Sequence, residues 1–220
     1  MHFIKFKDSE EKKEISKIVC VGRNYADHAI ELGNEVPDKP VLFLKPASAV
    51  ILSGQKVIHP KFSNNLHHEV ELVLLIGKTI KNASSAESEE AISAYGMGLD
   101  MTLRDLQQEA IKTGDPWTIS KGFDTSAVLS DFVKKEDYTL TLDETISLSV
   151  NGIVKQNEKL NKLLYGPIAL VKYISSLITL EEGDLIFTGT PAGVGKVVPG
   201  DRLSGSISGL VSVSAVIAEE

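Results

Sequence analysis

The alternation of hydrophobic and polar positions predicts a chain built mainly of short strands. Apolar runs bounded by turn residues indicate the strands, and an Asn-Gly pair between two alternating segments predicts a β-hairpin. The predicted strands are His2–Phe6, Ile18–Val21, Val41–Leu44, Val70–Ile76, Leu185–Thr188, Arg202–Ile207 and Leu210–Ile217, and the predicted hairpin joins Ile146–Val150 to Ile153–Gln156 through Asn151 and Gly152.

Helices are fewer and shorter than the strands. Helical spacing of apolar residues, with Gly or Pro near the ends, predicts helices at Ala26–Leu32, Ser88–Ala94, Leu103–Lys112 and Ile168–Leu177. Because strands and helices do not alternate regularly, the pattern argues against a doubly wound α/β fold. No linker rich in Pro, Gly or Ser divides the chain, so we expect one domain over residues 1–220, with its core at about 17–217.

Composition and charge narrow the classes of partner. The 23 Lys and Arg against 30 Asp and Glu give a formal net charge of −7, which argues against nucleic acid or an anionic membrane as the main partner. Cys20 is the single cysteine, so an intrachain disulfide and a Cys-rich zinc site are ruled out. No apolar run approaches the roughly 20 residues of a membrane span, and the N-terminus does not read as a secretory signal. A cytoplasmic location is therefore expected.

Two carboxylates stand at the start of the most apolar strand. Glu69 and Glu71 are two residues apart, which places both side chains on one face of a strand. Paired carboxylates beside a buried strand repel each other and resist desolvation, and a divalent cation relieves both problems. The alternative is that this end of the strand is simply solvated. Taken alone, the motif favours that alternative.

A second group of polar residues follows a glycine-rich strand. Asp100 either caps the next helix or supplies a third oxygen ligand for a hard cation such as Mg²⁺ or Mn²⁺. Arg104 and Gln107 share one helix face a turn further on. They are suited to hold a carboxylate substrate, although a surface pair is the simpler interpretation.

Three further segments carry possible chemistry. His28 and Glu31 share a face of a short helix and could form a general base for water, although their spacing alone favours an ordinary surface pair. Lys121 follows apolar residues and is either partly buried, with an altered pKa, or a surface lysine. The glycine-rich run 188–195 could cradle an anion or form a plain turn; it lacks the ending of the Walker A motif, so we reject a nucleotide triphosphatase.

Taken in order, these segments resemble the fumarylacetoacetate hydrolase superfamily, and within it the small single-domain branch that contains acylpyruvases, also known as oxaloacetate decarboxylases. The resemblance extends from about Lys17 to Val216. The matching motifs are GRNYADH, PVLFLKP, HHEVELVLLIGK, GLDMTLRDLQ, PWTISKGFD, VNG and LEEGDLIFTGTPAGVG.

The resemblance implies a β-rich, mixed α/β fold, a β-roll of mixed sheets with short helices, assembled as a homodimer. It implies Mg²⁺ or Mn²⁺ bound by Glu69, Glu71 and Asp100. One departure is Gly122, where relatives usually carry Ser, which could loosen the placing of the neighbouring lysine. The remaining implied site residues are catalytic His28, Glu31 and Lys121, and substrate-binding Arg23, Arg104, Gln107, Gly189 and Thr190.

The activity implied is hydrolysis of the C–C bond of an acylpyruvate, of the acetylpyruvate or fumarylpyruvate type, to pyruvate and a carboxylic acid. The alternatives are an oxaloacetate decarboxylase or tautomerase, a hydratase or isomerase of a 2-oxo acid in the catabolism of aromatic compounds, and a non-catalytic, metal-stabilised binding protein. We further expect the segment from about Tyr25 to Lys39 to act as a lid that closes over a bound 2-oxo acid.

Overall fold

Short strands supply most of the regular structure in the computed structural model, which describes residues 2–31 and 37–220. The strands are β1 Phe3–Lys5, β2 Lys12–Glu14, β3 Ile18–Gly22, β4 Val41–Lys45, β5 Val50–Leu52, β6 Lys56–His59, β7 Leu66–His68, β8 Val70–Ile76, β9 Ile92–Asp100, β10 Thr102–Leu103, β11 Ala127–Leu129, β12 Val133–Lys134, β13 Thr145–Val150, β14 Ile153–Lys159, β15 Leu185–Phe187, β16 Gly195–Lys196, β17 Arg202–Ile207 and β18 Val211–Glu219. The α-helices are α1 Ala26–Glu31, α2 Ser85–Ala91, α3 Arg104–Thr113, α4 Thr118–Gly122 and α5 Pro167–Leu177. Short 3-10 helices lie at Ala47–Ala49, Lys135–Asp137 and Leu160–Lys162.

A central mixed sheet has the strand order β4-β3-β15-β8-β9-β11-β5, and β12 also pairs with β9. Strand β8 lies between β15 and β9 and is antiparallel to both. Every residue of β8 is buried, as its continuous apolar run predicts for a strand covered on both faces.

A second sheet, in the order β14-β13-β17-β18-β6, packs on the central sheet. Burial alternates along β13 and β17, so each presents one apolar face to the core and one polar face outward. The shared core contains Leu72 and Leu99 of the central sheet and Leu148 and Leu203 of the second. This packing holds the ends of β8 and β9 in fixed positions.

A small sheet, in the order β10-β7-β16, lies where β8 begins and β9 ends. Strand β7 pairs with β10 and β16 in antiparallel fashion. The backbone N–H of Asp100 donates to the carbonyl of Glu69 at 2.8 Å, which ties the end of β9 to the connection between β7 and β8. Two segments far apart in sequence therefore meet at one point.

The predicted β-rich, mixed α/β fold is confirmed, and so is the hairpin. Asn151 and Gly152 have φ of 52° and 79°, the left-handed values that a tight hairpin turn needs, and the flanking residues Val150 and Ile153 pair. Helix α3 ends at Gly114, whose φ is 77°, in agreement with the predicted stop.

The helix predicted at Ser88–Ala94 is displaced. Ser84 and Glu87 form a capping box that starts α2 at Ser85, earlier than predicted. Residues 92–94, which the sequence predicted as the last turn of this helix, instead belong to β9 and pair with the end of β8.

Part of the predicted lid falls outside the described residues. Helix α1 is described to Glu31, and residues 32–36 of the proposed lid segment lie in the gap. Within residues 2–31 and 37–220, no helix is both long and apolar enough to cross a membrane.

Candidate active site

Three carboxylates converge where β8 begins and β9 ends. Glu71 belongs to β8, Asp100 is the last residue of β9, and Glu69 lies between β7 and β8. One oxygen of each lies within 4.8 Å of the others, and all three residues are at most 4% exposed. The interpretation of this segment as a solvated strand end is therefore excluded.

Lys121 bridges two of these carboxylates from the short helix α4. Its Nζ lies 2.6 Å from Glu69 Oε2 and 2.8 Å from Asp100 Oδ2, and it donates to the Thr102 hydroxyl at 2.6 Å. The residue is 2% exposed, so the interpretation as a surface lysine is excluded. These ion pairs and the hydrogen bond to Thr102 offset the desolvation cost of burying the ammonium group.

A second buried lysine, Lys45 at the end of β4, was missed by the sequence analysis. Its Nζ lies 2.8 Å from Asp100 Oδ1 and 3.0 Å from Ser126 Oγ, and it also donates to the carbonyl oxygen of Lys121. The only signal in the sequence was a lysine at the end of an apolar strand within the motif PVLFLKP. That signal does not distinguish a buried lysine from an edge lysine.

Arg104 and Gln107 lie on the buried face of α3. Arg104 forms an ion pair with Glu69 and donates to the side-chain oxygen of Gln107. Among the described residues, the buried Arg104 Nε has no hydrogen-bond partner. The interpretation as a surface pair is excluded, and an unpaired donor remains beside the carboxylates.

The three carboxylates differ in how their charge is balanced. Burial disfavours the ionised form of Glu69, but the charges of Lys121 and Arg104 outweigh it and lower the pKa of this carboxyl. Within the described part of the chain Glu71 has no ion pair; it accepts a hydrogen bond from the Gly189 N–H at 2.6 Å. Burial, together with the negative charges of Asp100 and Glu69, raises the pKa of Glu71 well above its usual value.

This donor set fits a hard divalent cation. The three groups offer only carboxylate oxygens, which are the ligands preferred by Mg²⁺ and Mn²⁺. An uncompensated buried carboxylate is costly, and a bound cation would stabilise Glu71 in its ionised form. Glu69, Glu71 and Asp100 are the residues that would hold the ion.

His28 and Glu31 form the predicted pair on α1. His28 Nδ1 lies 3.3 Å from Glu31 Oε2, and the His28 side chain is almost fully buried. Burial lowers the pKa of His28, against the opposing effects of Glu69 and Glu31, and so favours the neutral imidazole. Both oxygens of Glu31 accept from the Gly193 N–H at 3.1 Å. An ordinary exposed pair does not describe this arrangement.

The glycine-rich loop 188–195 binds carboxylates that belong to the protein. Gly189 has a φ of 102°, and a Cβ there would lie 2.7 Å from the Cβ of Asn24. Gly193 has a φ of 96°, and a Cβ there would lie 2.0 Å from the carbonyl oxygen of Lys155. The backbone N–H groups of the two glycines are occupied by Glu71 and Glu31, respectively.

Every predicted site residue except Glu31 and Gly189 lines one cleft, with about 40 Å³ of free space. Arg23 reaches it from a left-handed backbone position, with a φ of 59°. Phe43 and Trp117, whose ring centres are 5.7 Å apart, form an apolar side. The cleft therefore combines buried carboxylates, cations and a histidine with an apolar wall, as small-molecule sites commonly do.

The family model described as fumarylacetoacetate (FAA) hydrolase C-terminal matches residues 17–218. The chain belongs to this family. The resemblance inferred from the motifs is thereby confirmed over nearly the whole chain.

Two similar proteins are named for reactions of oxaloacetate, one as a tautomerase and one as a decarboxylase. Oxaloacetate tautomerase FAHD1, mitochondrial, of Mus musculus is 44% identical over 196 residues, 89% of each chain. Oxaloacetate decarboxylase, mitochondrial, of Dictyostelium discoideum is 46% identical over 195 residues, 88% of this chain and 89% of the relative. Since both names include a mitochondrial location, the cytoplasmic location expected here stays a prediction.

A solved relative has nearly the same fold. The crystal structure of fumarylpyruvate hydrolase from Pseudomonas aeruginosa in complex with Mn²⁺ and pyruvate has a TM-score of 0.95 and 37% identity, and the match covers 99% of this chain and 96% of that one. The predicted cofactor, Mg²⁺ or Mn²⁺, agrees with the ion in that relative and with the three carboxylates found here.

Proposed function

We propose that the chain is a divalent-metal-dependent hydrolase that cleaves the C–C bond of a 3-acylpyruvate to give pyruvate and a carboxylic acid. The observation that carries the proposal is the meeting, in one cleft, of the three buried carboxylates with the buried imidazole of His28. The carboxylates suit a cation that chelates a 2-oxo acid, and the imidazole suits a base that takes a proton from water. Relatives named as fumarylpyruvate hydrolase and oxaloacetate tautomerase act on compounds of this class.

The balance of charge in the cleft favours a dianionic ligand. When Glu71 is ionised, the three carboxylates carry as many negative charges as the three buried cations, Lys45, Lys121 and Arg104, carry positive ones. A divalent cation adds two positive charges to this balanced set. A 2-oxo acid supplies one negative charge from its carboxylate and develops a second on its 2-oxo oxygen during C–C cleavage, so it restores the balance.

When bound, the cation would polarise the 2-oxo oxygen and stabilise the negative charge that develops there. The chain itself orients the substrate. Arg104 and Thr190 both line the cleft, and their side chains would bind substrate oxygens there. Lys121 holds Glu69 and Asp100 in position through its two ion pairs, and it contributes positive charge close to the substrate oxygens.

His28 is the base that activates water. Because Glu31 accepts at Nδ1, this nitrogen carries the hydrogen, and the lone pair of Nε2 is available to take a proton. Water deprotonated by His28 attacks the acyl carbonyl, and the C–C bond breaks with its electron pair moving to the pyruvate fragment. The proton returns from His28 to C3 of that fragment, which gives pyruvate and the free carboxylic acid.

Oxaloacetate is the second candidate substrate. Its tautomerisation or decarboxylation needs the same chelating site but no attacking water. Only the tautomerisation moves a proton between C3 and the 2-oxo oxygen, a transfer that His28 could carry. The names of two relatives, oxaloacetate tautomerase and oxaloacetate decarboxylase, favour this possibility.

The test is a substrate panel with the purified protein in the presence of Mg²⁺ or Mn²⁺. Acetylpyruvate, fumarylpyruvate and oxaloacetate are compared by kcat/KM for pyruvate release, and oxaloacetate also by its keto–enol conversion. We expect the highest kcat/KM with an acylpyruvate. Turnover of oxaloacetate alone would replace the first candidate with the second, and turnover of none would indicate a binding protein.

A further inference from the structure

Gln156 is a buried amide on a strand that is otherwise largely exposed. Strand β14 is an edge strand of the second sheet, and Gln156 is its one buried residue, with 0% exposure. Burial of an amide is unfavourable unless its oxygen and nitrogen are both hydrogen-bonded. The sequence placed this residue only at the end of the predicted hairpin, and the activity described so far does not use it.

Backbone groups fix the orientation of this amide. The N–H of Val70 donates to Gln156 Oε1 at 3.2 Å, and Gln156 Nε2 donates to the carbonyl oxygen of Pro191 at 2.9 Å. A backbone N–H can only donate and a carbonyl can only accept, so the oxygen and the nitrogen cannot exchange places. His68 Nδ1, 3.0 Å from Oε1, completes the acceptor side.

This orientation fixes the role of the Thr190 hydroxyl. Gln156 Nε2 lies 2.8 Å from Thr190 Oγ1, and the nitrogen can only donate, so Thr190 accepts. The hydroxyl hydrogen is then left to be donated elsewhere. Nowhere in the described ranges does it find a protein acceptor, and Thr190 lines the cleft of the three carboxylates.

We infer that Gln156 is a positioning residue that makes the Thr190 hydroxyl a hydrogen-bond donor to an anionic oxygen of the bound substrate. The amide acts through Thr190 and does not touch the ligand. The inference rests on the proposed function only in taking the ligand to be an oxo acid.

The substitution Gln156→Glu reverses this polarity with little change of shape. A carboxylate still accepts from Val70 and His68, but it has no hydrogen for Thr190 or for the Pro191 carbonyl. The Thr190 hydroxyl must then turn and donate to residue 156. Removing a hydrogen bond to a charged ligand oxygen should raise the Kd of oxalate for the Mn²⁺-loaded protein roughly 10- to 100-fold. The KM for acetylpyruvate should rise by a similar factor with a smaller change in kcat, because the contact is present before and during reaction.

A double-mutant cycle separates this role from a purely structural one. In the Thr190→Val background there is no hydroxyl to turn, so Gln156→Glu should change the Kd of oxalate less than about threefold, as additivity fails for coupled neighbours. Equal factors in both backgrounds, or no rise in either, would overturn the inference. The control is Gln55→Glu, the same change at an exposed turn where the side chain accepts from the Leu52 N–H at 2.7 Å; it should leave the Kd unchanged.

Two further comparisons keep the test decisive. If Gln156→Glu lowers the unfolding midpoint so far that it cannot be assayed, Thr190→Val must raise the Kd of oxalate much more than Thr190→Ser, which keeps the donor; equal effects would contradict the inference. Wild-type protein that binds oxalate but releases no pyruvate would refute the proposed hydrolysis alone. Wild-type protein that binds no oxalate would contradict both.

Discussion

Lys45 and Lys121 each form an ion pair with a different carboxylate oxygen of Asp100, at 2.8 Å in both cases. Asp100 therefore has its charge matched before any ion binds, while Glu71 has only the Gly189 N–H. Asp100 is therefore neutralised by protein cations, whereas the charge of Glu71 is left to be neutralised by a bound metal ion. The two make different predictions for stability.

Glu71→Gln should abolish metal binding and activity while the fold persists. Because the folded-state pKa of Glu71 is raised, its stabilising contribution is complete below the unfolded pKa near 4.5 and is lost as pH rises toward the folded value. Metal-free wild type should thus lose stability by up to about 1.4 kcal/mol per pH unit in that window, and the variant should lack this slope. Denaturant unfolding in EDTA from pH 5 to 8 measures it.

The control for this prediction is Glu89→Gln, the same change at an exposed position of α2. It should keep both the slope and the stabilisation by Mn²⁺. Near-wild-type activity or Mn²⁺ affinity in Glu71→Gln would contradict its assignment as a ligand.

Lys45→Met should destabilise the metal-free protein by roughly 3–5 kcal/mol, the usual effect of breaking a buried ion pair. It removes the ion-pair partner of Asp100 Oδ1, and Asp100 is only 1% exposed to the solvent that could replace it. Lys78→Met breaks the exposed pair with Glu90 and should leave the unfolding free energy near that of wild type. Equal changes of the unfolding free energy in the two variants would show that the Lys45–Asp100 pair does not stabilise the fold.

Residue types and their order in the chain predicted the acidic cluster but not its surroundings. The spacing of Glu69 and Glu71 alone favoured a solvated strand end, and only the order of the motifs and the family resemblance joined them to Asp100 as ligands. Lys45 and Gln156 do not stand out, because a single Lys or Gln on a strand is ordinary. Only the tertiary fold shows that their side chains turn inward.

At the scale of elements, the loop 188–195 connects the metal site to α1. Gly189 holds Glu71, Gly193 holds Glu31, and Thr190 lies between them at the cleft. The loop in turn rests on β14, through the Gln156 side chain and the close approach of Gly193 to the Lys155 carbonyl. A displacement of this loop would therefore disturb several groups of the site together.

Gly193→Ala should lower kcat/KM roughly 10²-fold, since small misplacements of catalytic groups have effects of that size. The added Cβ would meet the Lys155 carbonyl oxygen at 2.0 Å. Gly200→Ala is the matched control, because Gly200 has nearly the same φ, 97° against 96°, with nothing within 4 Å of the added Cβ. Equal losses of kcat/KM in the two variants would mean that backbone strain, and not the contact with β14, is responsible.

Elements with strong local signals were predicted well, and elements fixed by tertiary packing were not. Strand β8 and the hairpin at Asn151 have patterns that few other structures satisfy. Helix α4, which carries Lys121, has only five residues and no side-chain cap. Its position is set by packing against β4 and β10, so the sequence gives no local sign of it.

At the scale of the whole molecule, the three larger sheets converge on the cleft. The central sheet supplies Glu71 and Asp100, the small sheet supplies the turn that presents Glu69, and the second sheet supports the glycine-rich loop. Contacts between distant parts of the chain create the site, so motif order could indicate its members but not its geometry. The homodimer and the single domain stay predictions.

The central claim is that one cleft joins a metal-chelated 2-oxo acid with water activated by His28. It is tested most directly by kcat/KM of His28→Ala, with Lys121→Ala beside it, on acetylpyruvate and on oxaloacetate in the presence of Mn²⁺. We predict that His28→Ala lowers acylpyruvate hydrolysis by roughly 10²–10⁴-fold, the usual effect of losing a positioned general base, and lowers oxaloacetate decarboxylation much less. Lys121→Ala should impair both reactions. An equal loss on both substrates in His28→Ala would contradict the assignment of His28 as the base for water.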